Sequence, residues 1–296
     1  MKYDLAIAYT WIYDIEFTRL IEKLFQSSGL TTYIVGAFNI EEFTEAVKNN
    51  RLEFKAYLDR ASDEDEKFVE LSRLLIERKT RIINDYDKTE KAVDKSVMHP
   101  KLLRARIKVP KTIIIPPNDE EPELKIKGLD KIGKPFIIKP AYYSGGSEGV
   151  VKDAESVETI RNTRQQYPDD SYLVQEKIYP KELNGKRAWF RPLYAFGNII
   201  LNYWDDVTHL YYDLTEQEFN EYKLGRLVTI VNKVSELSGL DYFSCEIALT
   251  EQNRFYLIDY VNDQCDMRLK SGHYDGVPDH VVEKFILHMM EFVRNI

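Results

Sequence analysis

The 296-residue chain is 44% hydrophobic and 30% charged, enough apolar material for one large or two to three small globular domains. Its formal net charge of −8 argues against a general nucleic-acid or anionic-membrane surface, since both need a basic excess. Two cysteines, Cys245 and Cys265, are too few for a disulfide framework and lack paired metal-ligand spacing; Asp4 interrupts any leader-like apolar core, and no apolar run nears the roughly 20 residues of a membrane span, so a soluble cytoplasmic protein is expected.

Residues 5–9 read as an apolar strand and 15–28 as a helix, with Phe17, Leu20, Ile21, Leu24 and Phe25 at helical spacing. Strands 31–35, 54–58 and 80–84 alternate with helices 40–49 and 64–78, which implies a parallel, doubly wound sheet. A charged helix is predicted over 88–106, broken by Val109-Pro110-Lys111-Thr112, then a strand over 112–115 and an acidic linker over 116–123. Further on, a helix over 155–165 and a buried strand over 172–178 are expected, then a strand pair over 190–202 turning at Gly197-Asn198. A helix over 224–237 stops at Gly239, and strands 242–249 and 254–261 form an antiparallel hairpin.

Two stretches carry chemistry. In the first, strand 136–138 delivers Lys139 and runs into Ser144-Gly145-Gly146-Ser147-Glu148-Gly149 before Val150-Val151. A phosphate chain needs a fixed cation and close backbone N–H donors, and only glycine-rich loops bring those donors near without a Cβ clash. The segment reads as a flap between antiparallel strands, not as a P-loop, because no GK[ST] opens a helix; an ordinary hairpin is the plain alternative. In the second, Glu246, Asp259 and Asn262 place oxygen ligands on neighbouring strands, a set suited to Mg²⁺. Singly, each reads more readily as a solvated strand residue, a lysine or arginine partner and a turn former; together with the lysine and flap upstream they read as a metal set. Cys245 reads as core, and His99, His209, His273, His280 and His288 as surface or structural.

In this order the motifs resemble the ATP-grasp superfamily, of the carboxylate-amine ligase type, over residues 2–262. Asp94-Lys95 before Val109-Pro110-Lys111-Thr112 is similar to that family's helix-opening Asp-Lys, and Lys139 with Ser144, Gly145, Gly146 and Ser147 to its lysine and flap. Gln175-Glu176-Lys177-Ile178 looks like the adenine-holding strand end, Glu182 like the ribose acid, Arg191 before Gly197 like the conserved arginine, and Glu246, Asp259 and Asn262 like the metal set. Asn262 stands three positions after Asp259 instead of two, so a bulge and Asp263 as the third ligand both stay open; Trp189 replaces an acid two before the arginine.

The resemblance implies an α/β (α+β) fold: a doubly wound N-terminal domain over 1–94, a small subdomain with lysine strand and flap over 95–180, and a C-terminal subdomain with antiparallel metal-binding strands over 181–296. It implies ATP with Mg²⁺, or Mn²⁺ in its place, Lys95 and Lys139 on the phosphates, and amide formation through an acylphosphate stabilised by Arg191. Acceptor recognition falls to Arg268 with Lys270, Ser271 and His273, unless that segment is a solvated loop balancing Asp263 and Asp266. Transfer to a hydroxyl, and nucleotide binding without turnover, are the alternatives. Small-molecule or peptide carboxylates and amines are the expected partners, without nucleic acid or membrane, and a homodimer is compatible. Loop 9–11 and the aromatics Trp11, Tyr13, Tyr142, Tyr143 and Trp204 are candidates for pocket walls.

Overall fold

Alternating strands and amphipathic helices build a four-stranded parallel sheet from the first eighty or so residues. β1 (Lys2–Tyr9), β2 (Thr32–Val35), β3 (Glu53–Arg60) and β4 (Arg81–Ile83) lie in the order β2-β1-β3-β4, joined by α1 (Ile15–Ser27), α2 (Ile40–Lys48) and α3 (Glu66–Glu77). The computed structural model describes residues 1–296, all but the side chain of Ser147. β1 is buried on both faces: Ala6 and Ala8 meet Phe43 and Phe68 of α2 and α3, while Leu5 and Ile7 meet Phe17 and Ile21 of α1.

α4 (Tyr86–Val93) and α5 (Lys95–Arg104) replace the single helix predicted over 88–106. Asp94 breaks it by taking an extended conformation (φ −66°, ψ 107°) and accepting hydrogen bonds from the Ser96 and Val97 N–H groups, which caps α5. Lys95 therefore starts a helix, and its N–H donates to the Ala141 carbonyl at 3.0 Å.

The second sheet is antiparallel, in the order β5-β8-β6-β7, from β5 (Thr112–Ile115), β6 (Phe136–Pro140), β7 (Val151–Ala154) and β8 (Tyr172–Glu176), with α6 (Val157–Thr163) between the last two. β6 and β7 flank the glycine-rich loop as the sequence implied, but β8 ends at Glu176, so Lys177 and Ile178 leave the ladder. The fully buried Arg164 gathers the acidic linker, donating from Nη2 to the carbonyls of Pro116 (2.7 Å), Pro117 (2.9 Å) and Glu121 (3.1 Å).

A short hairpin, β9 (Glu182–Leu183) with β10 (Lys186–Arg187), leads into a seven-stranded antiparallel sheet. Its strands are β11 (Trp189–Phe190), β12 (Leu193–Ala195), β13 (Asn198–Ile200), β14 (Asn202–Trp204), β15 (Tyr211–Asp213), β16 (Tyr242–Leu249) and β17 (Phe255–Asn262), with α7 (Glu216–Glu221) and α8 (Gly225–Ser238) before β16. The pair predicted over 190–202 is four short strands: Pro192 cannot donate to a ladder, and the turn is one residue earlier than expected, on Phe196 and Gly197 (φ 52° and 88°), closed by Ala195 opposite Asn198.

α9 (Asp279–Asn295) was absent from the predicted elements although Val281, Val282, Phe285, Ile286, Met289, Met290 and Val293 recur at helical spacing. It packs between the parallel sheet and the seven-stranded sheet, with the Phe285 ring 6.0 Å from Phe17, 5.7 Å from Phe196 and 5.4 Å from Tyr242, so the two sheets share one core. The mixed α/β class read from the sequence holds, and no helix among the described residues is long and apolar enough to cross a membrane. Phe285→Ala is expected to cost about 3–5 kcal/mol in urea unfolding, whereas Leu287→Ala on the exposed side of the same helix changes stability by about 0.5 kcal/mol or less. Equal effects would contradict this packing.

Candidate active site

Strand alternation puts Tyr242, Ser244, Glu246 and Ala248 on one face of β16, while Phe243, Cys245, Ile247 and Leu249 enter the core under α8. β17 pairs Asp259 with Glu246 and Asn262 with Ser244, so three steps on β17 match two on β16. In a regular strand Asn262 would face away from Asp259; the extra residue returns it to the carboxylate face. Asp263, the other candidate for that place, accepts instead from Thr89 Oγ1 of α4 at 3.1 Å.

Cations from three separate elements meet this face. Lys139, at the end of β6 and only 6% exposed, donates to the Ile258 carbonyl at 3.0 Å and stands 3.8 Å from Asp259 Oδ1. Lys95 reaches the same oxygen at 3.3 Å from the start of α5. Arg191, between β11 and β12, lies 3.9 Å from Glu246 Oε1 with its guanidinium over the Trp204 ring at 4.9 Å. Burial pushes the Lys139 ammonium down to about 8 against the opposing pull of Asp259. Burial also raises Glu246 despite Arg191, while at Asp259 the two lysines outweigh burial and hold the carboxyl below its usual range. Trp189 donates from Nε1 to Glu246 Oε2 at 3.2 Å, so an indole orients the carboxylate where the resembled pattern has an acid.

Asp259 Oδ1 is held by the two ammonium groups alone, and the buried Asn262 Nδ2 has no hydrogen-bond partner, so the Asn262 amide is not committed to a neighbour through its nitrogen. Among the described residues no three His, Cys, Asp or Glu side chains are grouped to hold a metal ion, so a hard divalent cation here would rest on two carboxylates and one amide and take its other oxygens from nucleotide and water. The donor set fits magnesium on those terms.

The flap opens at Ser144, passes a short 3-10 turn over Gly145–Ser147 and returns at Gly149. A Cβ on Gly149 (φ +65°) would meet Pro140 Cγ at 2.8 Å and Tyr167 at 3.0 Å, so glycine is required there. Asp170 Oδ2 fixes the flap base by accepting from the Tyr142 and Tyr143 N–H groups at 2.9 and 3.1 Å, and the Tyr142 hydroxyl bonds Glu90. The side chain of Ser147 lies outside the described residues.

The strand-end residues do different things. Gln175 is buried and donates to Thr112 Oγ1 (2.9 Å) and to the Tyr260 hydroxyl (3.1 Å); Glu176 accepts from the Lys111 N–H at 2.9 Å. Lys177 pairs with Asp153, Ile178 packs on the main core, and Glu182 is exposed on β9. The Tyr260 hydroxyl also lies 2.6 Å from His99 Nδ1, which sequence reasoning assigned to no network because its partner is 161 positions away. Burial, with Lys139 adding to it, pushes His99 down to about 4. Since Gln175 fills the acceptor side of the phenol, its O–H is left to donate to the neutral imidazole. This chain links the helix of Lys95, the strand of Asp259 and the end of β8.

The C-terminal cations do not form one cluster. Arg268 is forked between Asp266 (2.8 Å) and Asp275 (3.0 Å), with Trp11 beside it at 6.0 Å; Lys270 donates to the Tyr211 carbonyl at 3.1 Å; His273 stands 3.8 Å from Glu16. Ser271 donates its N–H to Asp279 at 3.0 Å.

No protein-family model and no curated protein sequence matches the chain. Solved structures do. A RimK domain protein ATP-grasp from Sphaerobacter thermophilus is similar at 20% identity over 97% of this chain and 98% of its own, with a TM-score of 0.64. D-alanine–D-alanine ligase from Bacillus anthracis, solved with ATP, matches at 13% identity over 100% and 99%, TM-score 0.65. The ATP-grasp ligase PsnB, solved with minimal precursor, Mg and ADP, matches at 12% identity over 96% and 98%, TM-score 0.62. The chain has the ATP-grasp fold.

Tyr260→Phe leaves His99 Nδ1 without a partner and Gln175 with Thr112 alone and is expected to cost about 1–3 kcal/mol, while Tyr203→Phe, whose buried hydroxyl has no partner to lose, is expected to cost nothing measurable in the same urea titration. Because the unfolded chain takes up a proton near 6.5 and folded His99 only near 4, stability falls as pH drops through that window. That component should vanish in His99→Gln; parallel stability–pH curves for variant and wild type would refute it.

Proposed function

We propose that the chain is an ATP- and magnesium-dependent carboxylate-amine ligase. The observation that carries this is the meeting of Lys95 of α5, Lys139 of β6 and Arg191 of the β11–β12 junction at the Glu246–Asp259 pair, with β6 running on into a glycine-rich flap. Three cations against two carboxylates leave a surplus positive charge, which suits a polyanion.

In this reading the backbone of Lys177 and Ile178 beyond β8 holds the adenine and Glu182 the ribose. Flap N–H groups, Ser144 to Ser147, cover the phosphates, while Lys95 and Lys139 neutralise them. Glu246, Asp259 and Asn262 would hold magnesium, which would supply further neutralisation of the phosphate charge. A substrate carboxylate attacks the γ-phosphorus and ADP leaves. The acylphosphate, steadied by Arg191, is then attacked by an amine; the C–N bond forms as the C–O bond to phosphate breaks, and the amine gives up its proton. Positioning and electrostatics do the work, and no covalent nucleophile is required. Arg268, already held by Asp266 and Asp275, shapes the loop on the acceptor side. The fold neighbours named as a D-alanine–D-alanine ligase and a D-cycloserine synthetase support bond-forming chemistry of this kind.

Calorimetry of Mg·ATP with wild type, Lys139→Ala and Asp259→Asn tests the reading. Lys139→Ala should weaken binding at least about tenfold, roughly 1.4 kcal/mol, and Asp259→Asn should lose the magnesium dependence. A wild type that binds no nucleotide sinks the proposal. With acid and amine pools added, free phosphate is the expected product, and a phosphorylated hydroxyl in its place would point to a kinase.

A further inference from the structure

The ends of β3 and β4 grip the end of the β16–β17 hairpin through a buried set of contacts that the chemistry above does not use. Arg60, the last residue of β3 and 2% exposed, forks onto Asp14 with Nε and Nη2 each 2.8 Å from a carboxylate oxygen. The same Nη2 donates to the carbonyl of Cys265 at 2.9 Å, and the guanidinium lies over the Phe17 ring at 5.2 Å. Beside it, Gln264 donates from Nε2 to the Asp59 carbonyl at 3.0 Å and accepts from the Tyr242 hydroxyl at 2.8 Å. Asn84, just past β4, takes the Asp241 N–H at 2.7 Å and gives a hydrogen bond to the Tyr242 carbonyl at 2.8 Å.

These contacts fall where β16 begins and β17 ends, three residues or fewer beyond Asn262. Buried ion pairs are poor stabilisers, since apolar residues of like volume commonly serve as well. What the fork gives that an apolar pair cannot is a directed donor at one backbone carbonyl.

Resting on the ligase reading, we infer that Arg60 is a positioning residue: by holding the Cys265 carbonyl it fixes the bulged end of β17 so that Asn262 stays on the face of Glu246 and Asp259. The N-terminal sheet thereby sets the geometry of a site to which it contributes no ligand.

The test is the double variant Arg60→Met with Asp14→Leu, which removes both members of the ion pair together, alongside Gln264→Met, which removes a neighbouring hook without touching the ion pair. Melting temperatures within a few degrees of wild type confirm folding. Affinity for a non-hydrolysable ATP analogue is then measured by calorimetry with magnesium and with EDTA. The expected result is an EDTA affinity within about twofold of wild type and a loss of at least fivefold in the magnesium-dependent gain, smaller but in the same direction for Gln264→Met. A retained gain, or an equal loss with and without magnesium, overturns the positioning role alone. A wild type that shows no magnesium gain overturns the proposed function and this inference with it.

Discussion

The arrangement depends on the compensation of buried charge around Asp259. A carboxylate on an otherwise apolar sheet is costly unless opposite charge is close, and Asp259 has two ammonium groups within 4 Å, delivered by α5 and β6. Neither lysine sits on the sheet that bears the acid. The antiparallel second sheet, α5 and the seven-stranded sheet must all be in place before the three charges meet, so the site depends on how these parts of the fold are assembled. The outcome is a cluster of three cations against two carboxylates, held by groups from three separate elements.

Local signals carried much of this into the sequence. Lys139 and its flap were legible because a β-branched run, a lysine and clustered glycines are consecutive. Glu246 and Asp259 were legible because a hairpin places two strands side by side. The start of α5 was not visible as a break in pattern: residues 88–106 keep helical composition throughout, and only the side chain of Asp94, capping two N–H groups, divides them. The choice between Asn262 and Asp263 was closed to sequence for a deeper reason, since it turns on a bulge, a property of strand pairing and not of either residue. His99 and Arg268 mark the same boundary. One gains its meaning from Tyr260 far along the chain, and the other loses its free charge to Asp275, whose approach depends on a folded loop.

Substitutions relative to the resembled pattern are compensated within reach of the change. Trp189 stands where an acid was expected and supplies an indole N–H to Glu246, exchanging a negative charge for a neutral donor. That removes a like charge from beside a carboxylate which burial already disfavours, and it leaves Arg191 to the Trp204 ring and Glu246. The local balance shifts toward positive potential on the arginine side of the site.

The seat of α9 has a consequence for the order in which the molecule can be made. Phe17 and Phe285 lie against one another although most of the chain separates them, so the side of α1 that α9 covers in the folded molecule has no cover until α9 itself has been made. Loop closure over such a span is slow, and an uncovered apolar helix side is adhesive in the interval. The N-terminal sheet can form early but not finish early: vectorial synthesis leaves the outer side of α1 waiting for α9, and any factor that shields nascent apolar surface would be needed over that interval.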